Sequence, residues 1–191
     1  LKGIAKATLM GNSKGGGDAI AFSVLHTDQL DLLVLMGAAT GPSIMDVMPP
    51  AGTAQLGETM RNPSRENVEK FLHLFFADDR FVTDEYIDLR WNAVQDHINR
   101  GFRDARMKSA SVRRDFTTDL SKVSNPVLVV YGATDRFAAM DSSLSLLRRY
   151  PNSELWMPRN CGHWVQFEVA DDFNEVVINW ALRQKRKQAA N

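Results

Sequence analysis

Apolar residues in this chain follow two rhythms. Leu30–Met36 (Leu-Asp-Leu-Leu-Val-Leu-Met) and residues 127–131 (Val-Leu-Val-Val-Tyr) are near-continuous apolar runs, the pattern of parallel strands covered on both faces. Shorter runs at 7–10 and 154–157 predict two further strands. Between them, apolar positions recur at helical spacing. Residues 15–26 carry Ala19, Ile20, Phe22 and Val24, and 141–150 carry Leu144, Leu146 and Leu147. A last helix has the face Phe173, Val176, Val177 and Trp180, with Asp171 expected as its cap. Strand–helix–strand, an interruption, then strand–helix–strand–helix is half of a doubly wound α/β sheet.

The interruption is helical. Pro49, Pro50 and Gly52 break the chain, and no strand pattern follows before about residue 114. Asn62-Pro63-Ser64 predicts a helix start with Pro63 in the first position, followed by the stripe Val68, Phe71, Leu72 and Phe75. Thr83-Asp84-Glu85 predicts a second start, with acids in the first turn, and Ile87, Trp91, Val94 and Ile98 form one face. A helical insert between two sheet strands is expected to lie as a lid over the strands' C-terminal edge. The chain then divides into a first core part at 1–42, a lid at 43–117 and a second core part at 118–191. Arg90 falls on the lid's inward stripe, three residues after Ile87 and four before Val94. Spacing alone leaves two roles open for it: a snorkelling side chain, or a two-pronged clamp for a carboxylate.

Candidate chemistry begins at Gly11-Asn12-Ser13-Lys14-Gly15. Gly-x-Ser-x-Gly between a strand and a helix is the nucleophile elbow of the α/β-hydrolases. The turn is sharp enough to strain the serine backbone, and side chains two residues either side would collide with strand and helix. Gly11 and Gly15 are expected to relieve those collisions, and Gly16 to let the helix approach the sheet. The Ser13 hydroxyl would protrude, and the Lys14 amide would favour a developing oxyanion at the helix N-terminus. Two later motifs support this. Residues 127–131 end in Gly132-Ala133-Thr134-Asp135, and 154–157 leads to Cys161-Gly162-His163-Trp164. Ser13, Asp135 and His163 thus occur in the chain order of a hydrolase triad, the acid after one strand and the histidine after the next.

Composition narrows the field. There are 23 basic and 23 acidic residues, so the formal charge is zero, and nothing points to nucleic acid or an anionic membrane surface. The basic stretch 183–187 is expected to be a dipole-matched, solvated helix end. One cysteine excludes an internal disulfide and fits a reducing compartment. With no signal peptide or long apolar span, a cytoplasmic protein is expected. His26, His73 and His97 lack ligand-like spacing and are expected as surface or packing residues, and the triad chemistry implies no metal and no cofactor. The chain begins Leu1-Lys2-Gly3-Ile4, shortly before the elbow strand. About half of an α/β-hydrolase sheet, and the loop giving the second oxyanion amide, precede that strand. The expectation is therefore the C-terminal portion of such a fold, with its N-terminal half alongside. Without that half, the strand at 7–10 would become an edge.

Taken together, Gly11-Asn12-Ser13 with Gly15-Gly16, Gly41-Pro42-Ser43, Arg90-Trp91 with Gln95, Gly132 to Phe137 (Gly-Ala-Thr-Asp-Arg-Phe) and Cys161-Gly162-His163-Trp164 resemble the meta-cleavage product hydrolases. These enzymes cut a carbon–carbon bond in the dienoates left by ring-opening dioxygenases in aromatic degradation. The resemblance runs over nearly the whole chain. It implies an α/β-hydrolase fold with a helical lid, Ser13, Asp135 and His163 as triad, and Arg90 binding the substrate carboxylate. It also implies Asn12, Lys14 and Trp164 at the substrate site, a small-molecule dienoate as partner, and a homo-oligomer. Two departures stand out: Lys14 replaces the family's usual methionine, and Ala138-Ala139 a more typical Val-Pro. Two further readings stay open on these residues. One is an ester or amide hydrolase with the same triad; the other is a catalytically silent hydrolase-fold binding protein or fragment.

Overall fold

Four strands lie side by side in chain order, all parallel: β1 (Ala7–Asn12), β2 (Leu30–Met36), β3 (Val127–Val130) and β4 (Ser153–Trp156). The computed structural model describes residues 3–38, 50–101 and 115–190. The register aligns Gly11 with Leu35, Leu35 with Val129, and Val129 with Leu155, so the strands end on one level. Their C-terminal ends therefore open onto a common edge, where ligands collect in open α/β sheets.

The apolar runs are explained by what covers them. On one face, Leu30, Leu33 and Leu35 of β2 join Val127 and Val129 against Ala19 and Ile20 of α1 (Lys14–Leu25) and Leu146 of α5 (Met140–Arg149). On the other, Leu32, Val34 and Met36 join Leu128 and Val130 against Phe173 and Trp180 of α7 (Ala170–Ala189). Alternate residues of one strand thus enter two cores, and each fully buried Leu or Val contributes about 1.5–3 kcal/mol. β1 lies at the sheet's edge, and Met10 is half exposed there.

Several local expectations are corrected. Asp171 does not cap α7: the cap position is Val169, and a short turn of helix, α6 (Val165–Glu168), precedes it. Asp171 and Asp172 sit in the first turn instead, where they complement the helix dipole. The basic stretch is not simply solvated, because Arg183 pairs with Glu154 and Lys185 with Asp31, the lone polar residue of β2. Leu144 is 40% exposed rather than part of the α5 core face.

The described residues of the insert are mainly helical, as their patterning predicts. It contains α2 (Ala51–Arg61), α3 (Arg65–Phe75) and α4 (Asp84–Asn99). Gly52 does not break the chain but lies in the first turn of α2, where any side chain would strike the Phe137 ring. Pro63 is not the first helical residue; Ser64 is the cap of α3, its hydroxyl accepting the Asn67 amide at 3.1 Å. Thr83 caps α4 as expected, accepting from the Tyr86 amide at 3.2 Å. Val68, Leu72, Phe75, Phe76 and Ile87 form a third core, joined by Trp91 and Val94 and, from the sheet's loops, by Phe137 and Trp164. The Gly41-Pro42-Ser43 motif, the boundary at 42/43 and residues 102–114 of the lid lie outside the described residues.

Candidate active site

At the end of β1, Ser13 has φ 52° and ψ −117°, the only left-handed backbone at a non-glycine among the described residues. Such a conformation costs on the order of 1–3 kcal/mol and persists only where its surroundings enforce it. They do so through the backbone. The Ser13 amide donates to the Met36 carbonyl at 2.8 Å, and the Gly17 amide to the Ser13 carbonyl at 3.1 Å. A Cβ on Gly11 would run into the Gly15 carbonyl, and one on Gly16 would lie 2.6 Å from the Ala38 Cβ. A Cβ on Gly15 would meet nothing within 4 Å. The collision relief expected of Gly15 therefore belongs to Gly11 and Gly16; Gly15 supplies the carbonyl that Gly11 must clear.

Asp135 and His163 come from the loops after β3 and β4. Asp135 Oδ2 lies 2.7 Å from His163 Nδ1, and both side chains are essentially sealed from solvent. The other carboxylate oxygen accepts the amides of Phe137 at 2.7 Å and Ala138 at 3.1 Å. An ionised carboxylate so placed can only accept, so the hydrogen bond is donated by Nδ1–H, and in the neutral imidazole Nε2 then carries the lone pair.

The serine turn and the histidine loop are linked through β2; among the described residues no hydrogen bond joins the Ser13 and His163 side chains. Met36 receives the Ser13 amide, and the next residue, Gly37, borders the imidazole. Gly37 has φ 51°; a Cβ there would lie 2.9 Å from His163 Cε1, 3.0 Å from Nδ1 and 3.4 Å from Asp135 Oδ2. Only glycine serves this position on both counts. Asn12 completes the link: its Nδ2 donates to the carbonyls of Met36 at 3.2 Å and His163 at 3.3 Å. Its amide therefore ties the elbow to the histidine loop.

Rings from the lid and from the sheet's loops close over the imidazole. Phe75, at the end of α3, meets His163 edge-on at 4.9 Å between centroids, and Phe137 lies 5.1 Å away, tilted. Trp164 packs edge-on against Phe75 at 4.5 Å. The Arg90 guanidinium of α4 sits 5.5 Å from the Trp164 ring centroid and is half-buried, a cation–π distance. Lys14 turns away, its ammonium paired with Asp18 at 2.8 Å on the exposed surface of α1. Its amide remains at the helix start, where no intrahelical acceptor is available.

Four contributors receive no site role from the sequence: Gly37, Phe75, Phe137 and Glu168. Glu168 is buried, its carboxylate accepting the Ala77 and Gly162 amides at 2.8 and 2.9 Å. Burial raises its pKa, and those hydrogen bonds oppose the rise. For Gly37 a signal did exist: a glycine closing a fully buried strand next to the elbow strand. Phe75 and Phe137 read as core, which they also are. Burial, with the Glu168 and Asp135 charges adding to it, pushes the Cys161 thiol up to about 12, so it is inert at neutral pH. Among the described residues, no group of three or more His, Cys, Asp or Glu is arranged to hold a metal. No helix among them is long and apolar enough to cross a membrane.

Comparison with known proteins returns one family. The family model described as alpha/beta hydrolase fold matches residues 1–170. A 2-hydroxy-6-oxononadienedioate/2-hydroxy-6-oxononatrienedioate hydrolase from Klebsiella pneumoniae is 37% identical over 185 residues, covering 95% of this chain and 64% of that protein. Its counterpart from Escherichia coli K12 is 36% identical over 184 residues, covering 94% and 64%. A meta-cleavage product hydrolase from Pseudomonas fluorescens IP01 superposes with TM-score 0.78 at 30% identity, covering 98% of this chain and 66% of that one. The 2-hydroxy-6-oxo-6-phenylhexa-2,4-dienoate hydrolase of Rhodococcus sp. strain RHA1 gives 0.82 at 25% identity, over 95% and 65%. The chain thus spans slightly less than two thirds of the relatives it matches.

Proposed function

Because this chain belongs to the alpha/beta hydrolase fold family, we propose that it carries the catalytic apparatus of a serine-dependent carbon–carbon bond hydrolase. Its substrate would be a 2-hydroxy-6-oxo-hexa-2,4-dienoate-type ring-cleavage product. The observation that carries this reading is the Asp135–His163 pair held against Gly37, one residue beyond the carbonyl that fixes the Ser13 amide. The named activities of relatives at 36–37% identity supply the substrate class.

Each residue then has a task. Arg90, half-buried beside Trp164, receives the substrate carboxylate in a two-pronged bond. That anchoring sets the C6 ketone toward Ser13. Tautomerisation of the dienol to its keto form comes first, so that the departing fragment can leave as a stabilised enolate. His163, with Nδ1 committed to Asp135, offers Nε2 to take a proton from Ser13 or from a water. Attack on the ketone gives an oxyanion, to which the Lys14 amide donates. Cleavage of the C5–C6 bond sends its electron pair into the dienoate fragment, which is protonated to 2-hydroxypenta-2,4-dienoate. The C6 side adds the oxygen of water and leaves as a carboxylic acid. The division into core 1–42, lid 43–117 and core 118–191, the cytoplasmic setting and the homo-oligomer belong to the same proposal.

The carboxylate is what separates this reading from a simple esterase. Arg90→Gln in the intact protein should lower kcat/KM for the dienoate by about 1.5–3 kcal/mol, the cost of a charge-assisted contact, and leave a neutral ester of similar size nearly unaffected. Equal losses on both substrates would assign Arg90 to lid structure and remove the support for a dienoate.

A further inference from the structure

The histidine loop is held from behind by the lid, and one buried carboxylate makes the connection. Glu168 lies on α6, just after the loop, and is 6% exposed. One oxygen accepts the amide of Gly162, the residue before His163, at 2.9 Å. The other accepts the amide of Ala77, just past the end of α3, at 2.8 Å. Beside this bridge the His163 amide donates to the Phe75 carbonyl at 2.9 Å. The fit leaves no slack: a Cβ on Gly162 would lie 2.6 Å from the Phe75 oxygen and 2.9 Å from both the Ala77 nitrogen and Glu168 Oε1. Phe75 in turn sets its ring edge against the imidazole.

We propose that Glu168 is a positioning residue that locks the backbone of the His163 loop to the lid at Phe75–Ala77 and thereby fixes the orientation of the imidazole. This rests on the reading of His163 as the general base. Two backbone donors, the Ala77 and Gly162 amides, come from well-separated parts of the chain and converge on one carboxylate. If the carboxylate is removed, Gly162 is left a buried donor and Ala77 a half-buried one, both without partners, and the loop has no second anchor on this side. The imidazole keeps Asp135 but loses the fixed backbone from which that bond is aimed. Reactions of this kind are sensitive to displacements near 1 Å.

Glu168→Gln tests the assignment in the intact protein. A glutamine is the same size but presents one oxygen and one NH2, so one of the two amides faces a donor. The expected result is a fall in kcat of about 10- to 100-fold, with KM changed far less. The NMR resonance of the His163 Nδ1 proton should also shift or broaden, while circular dichroism retains the wild-type fold. Ala77→Pro cuts the bridge from the lid side and leaves the Glu168–Gly162 bond intact. Phe76, at φ −97° and ψ 150°, already has the backbone that a residue before proline adopts. It should move the same resonance and lower kcat in the same direction. If kcat and the Nδ1 resonance stay at wild-type values in both folded variants, Glu168 has no positioning role. The resonance is read without substrate, so it tests the brace even if the dienoate proves to be the wrong substrate.

Discussion

Ser13 is fixed by its immediate neighbours, whereas His163 is fixed by distant parts of the chain. The serine turn depends on Gly11, Gly16 and a bond from Gly17, all within four residues, plus one carbonyl of the adjacent strand. The imidazole depends on Asp135, Gly37, Asn12 and Phe75, drawn from both core segments and the lid. A locally built turn holds its shape wherever its strand and helix form. A histidine assembled from separate segments is correct only when the core and lid have all docked. The serine turn thus needs only β1, α1 and the end of β2, whereas the histidine's placement needs the complete fold.

Three substitutions sharpen this contrast. The largest effect is expected at Asp135→Asn, which keeps the shape but reverses the hydrogen bond that sets the imidazole tautomer. A fall in kcat of roughly 10⁴-fold is expected, with unchanged circular dichroism. A drop of less than tenfold in steady-state rate would show that the pair is not used in proton transfer. Next is Gly37→Ala. Its left-handed backbone carries a penalty of about 1–2 kcal/mol for a residue with a side chain, and the new methyl presses on the imidazole. A loss of about 100-fold in kcat with a modest fall in Tm is expected. A variant that lost stability but kept its rate would mean that the imidazole yields without consequence. The smallest effect is Gly15→Ala, inside the serine motif itself. Because its Cβ meets nothing, thermal unfolding should show a gain of about 0.4–1 kcal/mol from the stiffer unfolded chain, with no loss of rate. A large loss of activity there would mean that the turn needs freedom the geometry does not reveal.

The same contrast explains what the sequence discloses. Four strands, the elbow, the lid helix caps at Thr83 and the two loops bearing Asp135 and His163 are legible because each leaves a local signature: an apolar run, a Gly-x-Ser-x-Gly turn, a capping threonine. Glu168 acts on partners far away in sequence and leaves no pattern of its own, and Gly37 shows only as a glycine closing a buried strand. Short-range rules also misplace detail where two signals compete. Asn62-Pro63-Ser64 offers both a proline start and a serine cap, and the cap prevails because the Ser64 hydroxyl satisfies a free amide. Gly52 reads as a breaker, yet it is the small residue a helix needs to sit against Phe137. Spacing alone leaves Arg90 ambiguous; its position over Trp164 follows from how the lid docks on the histidine loop.

Turnover of a 2-hydroxy-6-oxo-hexa-2,4-dienoate by the intact protein and its Ser13→Ala variant tests the central claim most directly. The dienoate is coloured, so its loss can be followed by absorbance while the acid and the hydroxypentadienoate are identified as products. The account predicts rapid loss with the wild type, giving those two products in equal amounts. It predicts retained binding but a loss in kcat of more than about 10³-fold with Ser13→Ala. Wild-type protein that binds the dienoate without cleaving it, or a Ser13→Ala variant that cleaves it at the wild-type rate, would contradict the account.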